Sequence, residues 1–182
     1  MADEGKAKRI LTLASGRGSN FQAVVRALHS GVITGGDAVG LVTDRPDTGA
    51  EEFACEKDIP VSVVDFKSFA DRGEFDQALL RAVNEYEPDL VLTLGFMRIL
   101  GDVLVDTYAG RMINIHPSLL PAFPGIRSQK QALEYGVRIT GATAHFVDRG
   151  VDTGPIILQA HVPVRSDHTL EELEIPDYSE VM

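Results

Sequence analysis

The chain has 182 residues, 44% apolar and 24% charged, with a formal net charge of −10, which suits one soluble globular domain with a sizeable core. That acidic balance argues against broad binding to nucleic acid or to an anionic membrane, both of which draw on basic surface; it leaves room for one phosphate held by a few backbone N–H groups. Cys55 is the single cysteine, which excludes internal disulfides and cysteine zinc clusters and points to a reducing, cytoplasmic setting.

Met1–Arg9 is polar and carries no apolar signal core, and no apolar run reaches the about 18–20 residues of a membrane span. Short apolar runs then alternate with longer helical patterns, the mark of a parallel α/β sheet. Arg9–Ala14 reads as the first strand. The polar loop Ser15-Gly16-Arg17-Gly18-Ser19-Asn20 follows, and Phe21, Val24, Val25 and Leu28 recur at helical spacing until Gly31. Val39–Thr43 is a strand, Glu51–Lys57 a short helix, Val61–Asp65 a strand and Phe69–Glu87 a longer helix stopped by Pro88. Leu90–Leu94 is almost wholly apolar, as a strand covered on both faces should be. Gly95-Phe96-Met97-Arg98 leaves it, and Met112–His116 is the next strand. Pro117–Gly125, rich in proline, is a rigid loop. Gln129–Tyr135 is a short helix, and Ile139–Val147 and Pro155–Val164 are strands joined by a turn over Asp148–Gly154. Residues 1–182 therefore read as a single domain, without repeat or linker.

In open parallel sheets ligands collect beyond the carboxyl ends of the strands. The loop after the first strand opens a helix there, and its N–H groups suit a phosphate. Its dinucleotide fingerprint is incomplete, because Phe21 stands where a third glycine belongs; a plain strand–helix turn is the competing reading. Asn114 and His116 lie two apart on one strand and so share a face, with Ile113 and Ile115 on the other. An amide and an imidazole facing one pocket can both donate to a developing oxyanion, although a histidine simply satisfied at a strand end has the same signature. Asp148 and Asp152 sit in a turn, where aspartate is common for backbone reasons alone. A carboxylate beside His116 would favour its protonated form.

His145, inside an apolar strand, reads as a satisfied core histidine or one that supports the site; His29, His161 and His168 are assigned no chemistry. No zinc-type spacing is present, and no metal is expected. Ser15, Ser19 and Ser118 lack the Gly-x-Ser-x-Gly elbow of a serine hydrolase.

Asn114-Ile115-His116-Pro117-Ser118-Leu119-Leu120-Pro121, His145-Phe146-Val147 and Asp152-x-Gly154-Pro155-Ile156-Ile157 together resemble the folate-dependent formyltransferase family. Gly16-Arg17-Gly18-Ser19-Asn20 and Gly95-Phe96-Met97-Arg98-Ile99-Leu100 are similar to its purine-biosynthesis branch, and the resemblance runs over residues 9–170. It implies a Rossmann-like, mostly parallel twisted sheet flanked by helices, with the last strand pair closing one side. The implied substrates are 10-formyltetrahydrofolate and glycinamide ribonucleotide. The resemblance further implies that Gly18, Ser19 and Asn20 bind the ribonucleotide phosphate. Arg72, Met97, Arg98, Ile99, Leu100 and Asn114 fall at folate-contacting positions, His116 at the catalytic imidazole and Asp152 at its supporting carboxylate.

Relatives in the family continue from a Thr-Leu stretch into a long helix bearing an Arg and later a Glu-His pair. Here Thr169-Leu170-Glu171-Glu172-Leu173 is followed by Glu174–Met182, with Pro176 opposing a helix and no such pair. The expectation is that the family's C-terminal helix is missing after about residue 174, that the sheet face it would cover is open or taken by a partner, and that ribonucleotide affinity is weak. A folate-binding remnant with little turnover and a formyltetrahydrofolate hydrolase are the alternatives. Hydrolases of the family carry an N-terminal regulatory domain, for which a first strand at Arg9 leaves no room. Formylation of methionyl-tRNA is set aside for want of a basic C-terminal domain. Oligomeric state is not legible, and a homodimer is left open.

Overall fold

The computed structural model describes residues 6–165 together with Asp167, Thr169, Leu170 and Leu173. The expectation of a missing helix after residue 174 lies outside the described residues, as do Pro176 and His168. The chain forms two compact units, residues 1–112 and 113–182. The fold class is the α/β, Rossmann-like one expected.

In the first unit β1 (Lys8–Ala14), β2 (Gly36–Thr43), β3 (Val61–Val63) and β4 (Leu90–Thr93) pair in the order β3-β2-β1-β4, every pair parallel. Leu11, Leu13 and Ala14 of β1 and Leu41 and Val42 of β2 have no exposed surface, because helices cover the parallel strands on both faces. Helix α1 (Ser19–His29) buries Phe21 and Val25, and Phe21 meets Phe53 of α2 (Gly49–Glu56) edge to face, 5.8 Å between centroids. Helix α3 (Arg72–Glu85) buries Phe75, Leu79 and Val83, one stripe at four-residue spacing.

Local capping explains where the sequence-based boundaries move. Asp71 caps α3 by accepting from the Glu74 N–H at 2.9 Å, while the Glu74 carboxylate accepts from the Ala70 N–H at 3.2 Å. These two bonds start the helix at Arg72 rather than Phe69. The strand expected over Val61–Asp65 ends at Val63, because the Asp65 side chain accepts from the Lys67 N–H and turns Phe66–Ser68 into a 3-10 helix. Helix α4 (Asp102–Thr107) has no counterpart in the sequence reading. Its core is the apolar run Val103-Leu104-Val105, too short for helical periodicity to show.

In the second unit β5 (Met112–His116), β6 (Ile139–Phe146) and β7 (Ile156–Pro163) are antiparallel, in the order β5-β6-β7. Helix α5 (Ser128–Tyr135) follows the proline-rich loop and ends on Gly136 at φ 79°, a left-handed cap that glycine adopts without strain. Among the described residues no helix is long and apolar enough to cross a membrane.

Candidate active site

Asn114 and His116 point from one face of β5, as period-two alternation requires. His116 is 4% exposed. Its Nδ1 stands 3.2 Å from Asp152 Oδ2, and its Nε2 stands 2.9 Å from the Phe123 carbonyl oxygen. Both neighbours are acceptors, so making both bonds takes a hydrogen on each ring nitrogen. The sequence allows either an imidazole facing a pocket as a donor or one satisfied at the strand end. Here its two nitrogens are engaged inside the protein, and Nε2 reaches a substrate oxygen only by exchanging the Phe123 carbonyl for it.

Asp152 gathers the site. Its Oδ2 accepts from the Gly125 N–H at 2.8 Å as well as facing His116, and its Oδ1 accepts from Asn114 Nδ2 at 3.4 Å. His145 Nε2 lies 3.6 Å from the same Oδ1. The turn that carries Asp152 is shaped by the other aspartate. Asp148 Oδ1 accepts from the Gly150 N–H at 3.0 Å and the Thr153 hydroxyl at 2.7 Å, an Asx turn. Asp152 itself adopts φ 55°, in the left-handed region that aspartate tolerates better than most residues. Gly154 passes so close to β6 that a Cβ would collide with the Phe146 carbonyl oxygen, which accounts for glycine two residues after the aspartate. On the loop side Phe123 is also at positive φ, 53°. Ser118, its hydroxyl 2.6 Å from the Ala122 carbonyl, closes the loop that presents the Phe123 oxygen. Sequence reasoning missed the two backbone groups, Phe123 C=O and Gly125 N–H, since no side-chain type announces them.

In the first unit Gly18 caps α1 at φ 72° with no side-chain hydrogen bond, and no acidic residue occupies the first turn. The first-turn N–H groups around exposed Ser19 and half-buried Asn20 therefore make a favourable end for an anion. A Cβ on Gly18 would stand 2.6 Å from Ala50 Cβ. Gly18→Ala is thus expected to lower stability by about 1–2 kcal/mol from left-handed strain alone and to weaken binding of a phosphorylated substrate. Thermal unfolding and titration with the ribonucleotide check the two parts.

The loop after β4 joins this end of the unit. The Met97 N–H donates to Ser15 Oγ at 2.8 Å, and the Arg72 guanidinium donates to the Ile99 carbonyl at 2.7 Å. Met97 and Ile99 are 68% and 66% exposed, an apolar edge that an aromatic ligand would suit. Arg98, expected at a ligand-contacting position, is held within the unit: its Nε donates to Asp44 Oδ2 at 2.7 Å and its guanidinium lies 4.1 Å from the centre of the Phe66 ring. Asp44 has no exposed side-chain surface. Burial alone would push its carboxyl up, but hydrogen bonds from Ser15 and Arg98 and the charges of Arg45 and Arg98 outweigh it, and the group lies below its ordinary 3.8. A depressed carboxyl contributes stability that is present above its unfolded value and is lost as pH falls through the folded one. Asp44→Asn should lower stability at neutral pH, and its difference from the parent should shrink as pH drops below about 4. Urea unfolding across that range reads the difference.

A cleft of about 730 Å³ between α1 and α2, lined by Arg17, Arg26, Phe53 and Lys57 among others, contains none of the expected site residues. Among the described residues no group of three or more His, Cys, Asp or Glu is placed to hold a metal ion.

Residues 8–175 match the family model described as Formyl transferase. The chain belongs to the formyl transferase family.

Within this family, the phosphoribosylglycinamide formyltransferase of Bacillus subtilis (strain 168) is 42% identical over 167 residues, 92% of this chain and 85% of that one. The crystal structure of glycinamide ribonucleotide transformylase 1 from Symbiobacterium toebii superposes with a TM-score of 0.90 at 41% identity, covering 96% of this chain and 82% of that chain. A formyltetrahydrofolate deformylase from Pseudomonas syringae pv. tomato gives a TM-score of 0.85 at 30% identity, over 93% of this chain and 56% of that chain.

Proposed function

We propose that this chain transfers the formyl group of 10-formyltetrahydrofolate to the amine of glycinamide ribonucleotide, a step of purine biosynthesis in the cytoplasm. The observation that carries the reading is the Asn114–His116–Asp152 cluster, with His116 buried and its two partners half-buried, in a formyl transferase chain. Greater identity to the ribonucleotide transformylases than to the deformylase favours an amine, rather than water, as acceptor.

The amine nitrogen attacks the formyl carbon, and the carbonyl oxygen gains negative charge. Asn114 donates to that oxygen, and His116 Nε2 donates to it by exchanging the Phe123 carbonyl for it; one such donor is worth about 3–4 kcal/mol. Asp152 holds His116 and takes the proton that the attacking amine must lose, directly or through water. The bond from carbon to the folate nitrogen then breaks, and that nitrogen gains a proton as tetrahydrofolate leaves. Gly18, Ser19 and Asn20 hold the ribonucleotide phosphate at the start of α1. Met97, Ile99 and Leu100 offer the folate its apolar contacts, with Arg72 at the loop's edge and Arg98 bracing the loop through Asp44 and Phe66. Joint positioning of two substrates supplies much of the remaining rate gain.

Turnover with both substrates tests the reading. Consumption of the formyl donor should depend on the ribonucleotide and yield its N-formyl product. The same rate without the amine would make the chain a hydrolase, and folate binding without either reaction would make it a folate-binding remnant.

A further inference from the structure

His145 lies directly across the β5–β6 pairing from Asn114. The register of β6 against β7 shifts between Ala144 and His145, so β7 carries one extra residue there. Bulges of this kind re-aim side chains beside active sites. The His145 ring is 2% exposed. Its Nδ1 is 2.9 Å from the Phe146 carbonyl oxygen, which only accepts, so Nδ1 carries the hydrogen. In the neutral ring Nε2 is then an acceptor, and it faces Asn114 Nδ2 at 3.2 Å.

This settles which way the Asn114 amide is turned. Its nitrogen has two acceptors in front of it, His145 Nε2 and, at 3.4 Å, Asp152 Oδ1. The reverse orientation would set the amide oxygen against the Asp152 carboxylate. The two acceptors are 3.6 Å apart. Seen from Nδ2 they are far enough apart for each of the two amide hydrogens to meet one of them. One N–H therefore serves His145 at the shorter distance, and the other faces Asp152 Oδ1 on the longer contact, from which it can turn to a substrate oxygen.

We infer that His145 is a positioning residue for formyl transfer: by accepting from Asn114 it locks the amide with its remaining N–H turned to the oxygen on which charge develops. The inference rests on the proposed transfer reaction and adds to it a residue that touches neither substrate. The groups facing His145 are Asn114 and Asp152, with His116 beyond the carboxylate. The same geometry makes the bond a matter of kcat. Turning the amide matters only when the oxygen becomes negative, so substrate binding should hardly register it.

The experiment compares His145→Leu, His145→Asn and His145→Gln. Leucine removes the acceptor, asparagine ends short of the Nε2 position, and glutamine can place an oxygen near it. Kinetics should show kcat about ten-fold lower in H145L and H145N with both KM values within about two-fold, and most of kcat restored in H145Q. In an Asn114→Ala background H145L should cost less than about two-fold more, because the two residues act as one unit. Normal kcat in both H145L and H145N, or an equal loss with and without Asn114, would overturn the inference. The side-chain amide signals of Asn114 in 15N-edited NMR read the positioning without any turnover. They should shift in H145L and H145N and return toward the parent positions in H145Q; unchanged signals in H145L and H145N would overturn it. A parent protein that shows these shifts but transfers no formyl group would instead sink the transfer reaction and leave the positioning intact.

Discussion

Asp152→Asn should lower kcat by about 10²–10⁴-fold, the range for losing a general base, while the protein stays folded. The shape of the side chain is kept, so packing is not the cause. What changes is the number of acceptor oxygens. The carboxylate accepts from the Gly125 N–H at 2.8 Å, faces His116 Nδ1 at 3.2 Å and accepts from Asn114 Nδ2 at 3.4 Å. An amide has one oxygen for these three donors, so one orientation sets NH2 against Asn114 and the other sets it against Gly125 and His116. The variant also loses the negative charge beside His116 and the acceptor for the amine proton. Leaving one buried donor unpaired costs about 1–3 kcal/mol, well short of typical domain stability. Steady-state kinetics and a thermal melt of the same sample separate the two effects. Near-normal turnover would remove Asp152 from the chemistry.

His116→Ala should cost a comparable factor, about 10²–10³-fold in kcat, the scale of one lost electrostatic donor. It should also be the more destabilising of the two. The ring fills a buried position, and its loss leaves the Phe123 carbonyl without the 2.9 Å partner and Asp152 Oδ2 with the Gly125 N–H alone. The loop therefore loses one of the contacts that fix Phe123 at φ 53°, and proteolysis within residues 117–127 should quicken. Added imidazole should recover part of the turnover by occupying the vacated space. Full activity in the variant would show that the ring serves the loop and not the reaction.

The two halves of the site were legible to different degrees. Asn114 and His116 could be placed on one face from strand periodicity, because that needs nothing beyond the alternation of side chains. Asp148 and Asp152 could not be told apart by composition, since both are aspartates in one turn. The hydrogen bonds divide them: Asp148 spends its carboxylate on the turn's own Gly150 and Thr153, and Asp152 points its carboxylate at two histidines and an asparagine. Backbone partners such as the Phe123 carbonyl leave no trace in residue type. Arg98 carries contacts that its motif does not announce. Its motif places it at a folate position, but the ion pair with Asp44 and the stacking on Phe66 are contacts between residues distant in sequence, and only the fold reveals them. Among the elements, long periodic helices were readable, whereas α4 is six residues long and the start of α3 was set by the Asp71 cap rather than by apolar spacing.

Carbon-13 in the formyl group of the folate donor tests the central assignment most directly. NMR of the reaction mixture should show the label moving to the amine nitrogen of glycinamide ribonucleotide, one product formed for each donor consumed, with transfer nearly abolished in Asp152→Asn. Label appearing as free formate at the same rate with and without the ribonucleotide would contradict the assignment.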